Sequence, residues 1–107
     1  MTEIIVTTAL EIPNKKIAKV LGIVRGNTIR SRNLGIDIAA GLKSLVGGEI
    51  KSFTDLISQA RDEAFNRMVN EAKELGADAI IGMNFTSSTV MAGASEILAY
   101  GTAVKLG

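Results

Sequence analysis

Three arginines crowd one part of this chain: Arg25, Arg30 and Arg32, followed closely by Asn33 and Asp37. A guanidinium presents a planar fork of donors that matches phosphate and carboxylate. The group could therefore hold a small anion. A helix opening near Gly35 and Ile36 would add free backbone N–H groups to such a site. Against that, Gly35 is the only glycine there and no P-loop pattern is present. The same arginines could instead form ion pairs to Asp37, to Glu49 or to an acidic helix in a neighbouring copy, which is the commoner use of such groups. Arg25, Arg30, Arg32, Asn33 and Asp37 are thus read as a surface for a ligand, an anion or another subunit.

Other chemistries are harder to build. The chain has no Cys and no His. Disulfides, thiol chemistry and the usual zinc and copper sites are excluded on that ground. Soft metals prefer thiolate or imidazole, so only oxygen donors remain: Asp37, Glu49, Asp78 and Glu96. None of these forms a close cluster in sequence. Asp37 and Glu49 are weak metal candidates. Asp78 and Glu96 could work as an acid/base pair, or Asp78 could satisfy backbone groups at a strand start while Glu96 is solvated. No Ser has a His partner, which rules out a Ser-His-Asp triad. Gly47-Gly48-Glu49 could cradle a phosphate, but paired glycines more often make a tight connection. Tyr100 could donate to a ligand or sit in the core with its hydroxyl at the edge. Met68, Met83 and Met91 read as core filling. With no nucleophile–base pair in view, the expectation is a non-enzymatic protein without a cofactor.

The elements that would position these residues follow from period and punctuation. Glu3–Thr8 is short and β-branched, a first strand. Pro13-Asn14 supplies turn chemistry. Ile17–Val24 is apolar on both faces except at Lys19, which places it inside a sheet or at a subunit contact. Gly26-Asn27 could close a hairpin. Because only Thr28–Ser31 would form the returning arm, a bulge in one long strand is preferred, re-aiming Arg25 relative to Arg30 and Arg32. Ile38, Leu42 and Leu45 or Val46 predict a short helix over 36–46, capped by Asn33 and stopped by Gly47-Gly48.

A longer helix is expected from about Thr54 to Leu75. Its stripe is Ile57, Ala60, Ala64, Met68 and Ala72, with Phe65 and Val69 beside it. Ser52 or Thr54 could cap it, and Phe53 could staple its entry. Glu63–Arg67 and Arg67–Glu71 have i,i+4 spacing. Ala79–Phe85 begins a strand that runs on to a turn near Ala92-Gly93. Glu96–Lys105 returns, with Ile97, Ala99, Gly101 and Ala103 as a face of mostly small residues that admits a close neighbour. The order β-β-α-α-β-β predicts an α+β fold with an antiparallel or mixed sheet and helices on one face.

A chain of 107 residues makes one domain, residues 1–107. Hydrophobic residues are 47% and aromatics only 4%, so the core is aliphatic. A mean hydropathy of +0.28 is high for so short a chain. Surplus apolar surface is most simply covered by another copy, which predicts a homo-oligomer. Net charge is +1, but residues 15–51 hold eight basic and two acidic side chains (+6) and the remainder four and nine (−5). Without basic runs or interleaved aromatics, complementary protein surfaces explain this better than nucleic acid. No stretch is long and apolar enough for a membrane span, and the N-terminus does not read as a signal peptide. A cytoplasmic location is expected.

Several segments together resemble the YbjQ family. They are Gly22-Ile-Val-Arg-Gly26, Arg30-Ser-Arg-Asn33, Asp37-Ile-Ala-Ala-Gly-Leu-Lys43, Val46-Gly-Gly-Glu49, Ala60-Arg61, Gly76-Ala-Asp-Ala-Ile-Ile-Gly82 and Tyr100-Gly-Thr-Ala-Val104. The resemblance covers nearly the whole chain in order and spacing. Those bacterial and archaeal proteins are largely uncharacterised and are often labelled heavy-metal-binding. The resemblance implies a dodecin-like α+β subunit in a homopentameric ring, with rings able to stack into a decamer.

Overall fold

In the computed structural model, residues 3–30, 49–91 and 94–107 are described, with backbone alone at 29–30, 49–56, 89–91 and 94–95. Among the described residues four strands and one long helix make an α+β fold: β1 (Ile5–Val6), β2 (Ile17–Arg30), α1 (Glu49–Glu74), β3 (Ala79–Met91) and β4 (Ala94–Leu106). The short helix expected over 36–46 lies outside the described residues. The sheet order is β1-β3-β4-β2. β1 joins β3 in parallel, and the β2–β4 and β3–β4 pairs are antiparallel, so the sheet is mixed.

Ile12, Pro13, Asn14 and Lys15 form a turn closed by Lys15 N–H to Ile12 O at 3.1 Å. Proline presets φ at its second position, and Asn14, at φ 63°, takes the left-handed third one. The chain then enters β2, which is continuous through Gly26-Asn27; no hairpin forms there. The expected bulge also falls elsewhere. Register with β4 is regular from Gly22 to Arg30, and the extra residues are Ala18 and Leu21. Gly22, at φ 129°, ends the irregular stretch. Arg25 is therefore not re-aimed by a local kink.

Gly26 has a different task. A Cβ placed there would strike the Ala64 carbonyl and the Met68 amide and come within 2.6 Å of Arg67 Cβ. The missing side chain lets α1 lie directly on the β2 backbone. Thr28 fastens the same contact, its buried hydroxyl donating to Ala60 O at 3.2 Å. The stripe Ala60, Ala64, Met68 and Ala72 is fully buried against Val24, Ile80, Ala99 and Ala103. Small residues face each other across this seam, so backbones approach closely, and Met68 fills what they leave. Helix formation starts at Glu49, five residues before the expected point. Ser52, Phe53 and Thr54 thus lie inside the helix rather than at its entry. A second, smaller cluster on the other face joins Ala79, Ile81 and Val104 to Ile12, Ile17 and Leu106.

The shape is elongated, 55 × 27 × 23 Å, with a radius of gyration of 17.1 Å against about 13 Å for a compact chain of this length. The three longer strands have 13 or 14 residues each. At roughly 3.3 Å per residue they alone exceed 40 Å.

Candidate functional site

The face of the sheet away from α1 carries the described candidate residues. Regular register puts Arg25 of β2 directly across from Tyr100 of β4, and Tyr100 across from Asn84 of β3. Adjacent strands lie about 4.8 Å apart, so a guanidinium, a phenol and an amide form one row over three strands. All three are exposed. Next to this row, Ile23 stands opposite Thr102, and on the other side Asn27 stands opposite Leu98. Asn27 Nδ2 donates to Glu96 Oε2 at 3.0 Å. Arg25 makes no ion pair or hydrogen bond to any described residue. An uncompensated guanidinium beside an aromatic hydroxyl can receive an anion by charge-assisted hydrogen bonds.

The other predicted site residues divide three ways. Arg30 ends β2, opposite Ser95 in register, and its side chain is not described. Arg32, Asn33 and Asp37 lie outside the described residues, as do Gly47 and Gly48. Glu49 is the first residue of α1, again without a described side chain. Only Arg25 of the five can therefore be placed with its surroundings. Tyr100 is half-exposed on the bare face rather than buried. Asn84, its neighbour across β3, drew no attention in the sequence; its signal was only the polar run Asn84, Thr86, Ser88 at a period of two.

Asp78 and Glu96 do not form an acid/base pair. Asp78 stands at one end of β4, accepting from Leu106 N–H at 2.9 Å and lying 3.9 Å from Lys105 Nζ. Its own N–H donates to Val104 O. Glu96 belongs to the other end, opposite Ser88 and Ile29. Asp78 is a strand-start fastener. Among the described residues no three of His, Cys, Asp and Glu come together to hold a metal ion. Oxygen donors alone, in a chain without Cys or His, do not fit a soft heavy metal. Among the described residues no helix is long and apolar enough to cross a membrane. The Ala9–Ile17 loop borders an open hollow of about 920 Å³. Its charged groups, Glu11, Lys15 and Lys16, are all exposed.

Residues 4–107 match the YbjQ family model, described as "Putative heavy-metal-binding". A UPF0145 protein of Archaeoglobus fulgidus is 56% identical over 104 residues, covering 97% of this chain and 96% of that one. UPF0145 proteins of Thermotoga maritima and Shewanella frigidimarina are each 54% identical, over 95% and 96% of this chain and 96% of each relative. A crystal structure of a protein of unknown function from Pediococcus pentosaceus, assigned to the DUF74 family, superposes with a TM-score of 0.66. It is 19% identical and covers 97% of this chain and 98% of that one, a likeness of fold.

Proposed function

The chain belongs to the YbjQ family, and from that premise we propose that it is a cytoplasmic, non-enzymatic homo-oligomer, a pentameric ring able to stack into a decamer, that binds a small anion. One observation supports the assembly: among the described residues Val20, Ile23 and Leu10 are large aliphatic side chains left 62%, 76% and 75% exposed, apolar surface that another copy would cover. Anion binding is supported by Arg25, exposed on the bare face without a carboxylate partner among the described residues. Sedimentation velocity or native mass spectrometry at micromolar protein tests the assembly. A species of five or ten times 11.3 kDa is expected; a chain that stays at 11.3 kDa at every concentration overturns the reading.

A second reading, metal-ion binding through carboxylates, is favoured by the family's description alone. Oxygen donors favour a hard or borderline ion over a soft one. Calorimetric titration with Mn, Ni, Cu and Zn at neutral pH decides it, since absence of heat with all four ends the metal reading.

A further inference from the structure

β2 is an edge strand. β4 lies on one side of it, and among the described residues no backbone group hydrogen-bonds its other side. A long edge is a template for another strand, and proteins usually shorten it, charge it or cover it. On the opposite side β1 pairs with only Ala79 and Ile80, so among the described residues β3 has an open edge of its own from Asn84 on, but a mostly polar one, with Asn84, Thr86, Ser87 and Ser88. One end of β2 is covered. Arg67, held by Glu63 at 2.6 Å, donates from Nη1 to Asn27 O at 2.5 Å. Thr28 is tied to the helix alongside it. Among the described residues nothing comparable covers Val20 to Arg25.

That stretch is apolar where an edge is normally polar. Val20 is 62% exposed and Ile23 76% exposed. Three residues apart, they would fall on opposite faces of a regular strand. The extra residue at Leu21 shifts the alternation and leaves both facing out. A bulge can blunt an edge; this one instead gathers two aliphatic side chains at it.

We infer that a second copy of this chain adds to the β2 edge along Val20–Arg25, the two β2 strands running antiparallel across a two-fold axis. A two-fold axis normal to the sheet pairs identical strands antiparallel and makes the contact self-complementary. The new backbone bonds satisfy the open edge, and Val20 and Ile23 of the two copies cover each other. The inference rests on the homo-oligomer reading above and extends it: this is the pairwise contact that joins two rings into one decamer.

Ile23→Lys tests it, because a charge on the edge is how such pairing is ordinarily blocked. Expected is a wild-type assembly with an even number of copies whose mass halves in Ile23→Lys and in Val20→Lys, with an unchanged far-ultraviolet dichroism spectrum. Leu10→Lys, at a loop position 75% exposed, keeps the wild-type mass. Hydrogen exchange on the wild-type protein gives an independent reading: amides between Val20 and Arg25 are slow in the assembly and quicken at least tenfold in Ile23→Lys. A wild-type monomer overturns the homo-oligomer reading together with this one. A wild-type oligomer with an odd number of copies, or with mass and exchange unmoved by Ile23→Lys, overturns the β2 contact and leaves the oligomer standing.

Discussion

The two faces of this sheet are written by the same strands and differ sharply from Ile23 to Thr28 on β2 and around Tyr100 on β4. Along β2, Val24, Gly26 and Thr28 are sealed under α1, while Ile23, Arg25 and Asn27 between them stand open. Along β4, Ile97, Ala99, Gly101 and Ala103 are buried, while Tyr100 is 36% exposed. The covered face is made of small residues that let a helix backbone approach. Among the described residues the other face has only the small cluster of Ala79, Ile81 and Val104 at one end, and beyond it mixes a cation, an aromatic ring, amides and exposed aliphatics. One face holds a single copy together; the other is left for something outside it.

Substitutions at neighbouring positions test that division. The largest effect is expected at Gly26→Val, which drives a branched side chain into the Ala64 and Met68 backbone. Overpacking of this kind costs about 3 kcal/mol, read as a lower midpoint in guanidinium unfolding. A midpoint within error of wild type would mean that α1 does not lie on β2. Next comes Thr28→Val, which keeps shape but removes the hydroxyl donated to Ala60 O. A loss of about 1 kcal/mol is expected, and its absence would show that the seam is held by packing alone. The smallest effect is at Arg25→Gln, one residue from Gly26 but on the bare face. Folding stability should move by less than about 0.5 kcal/mol. Inorganic phosphate should raise the melting temperature of the wild type and leave the Arg25→Gln variant where it was. Equal protection of both proteins would remove Arg25 from the anion site and would blur the contrast between the faces.

The Glu63–Arg67 pair adds little to either face, being solvent-exposed on both sides. Its value lies in position. Spacing predicted two pairs, Glu63–Arg67 and Arg67–Glu71, but the other guanidinium nitrogen turns to the Asn27 carbonyl of β2. A helix-surface rule sees only the helix; the strand beside it offered a better acceptor.

Much of the framework was legible from residue order. The stripe Ala60, Ala64, Met68, Ala72 recurs at the helical period, and helical geometry requires those side chains to share a side. The small face of β4 follows from a period of two in the same way. Pro13-Asn14 marked its turn because φ is limited locally. These features depend on a residue and its close neighbours in the chain.

What the chain order left open depends on residues far apart in it. Gly26 looked like a bulge or a hairpin and is instead a landing place for α1, because only the folded molecule brings Ala64 against it. Ile17–Val24 suited either a sheet interior or a subunit contact, and its apolar pattern is real, but strand order is set by which edges β3 and β4 occupy. That order leaves β2 at the rim with Ile23 in solvent. The sequence determined which side chains could be buried together; the tertiary structure alone decided which of them were, because burial is a property of what packs across from a residue and not of the residue itself.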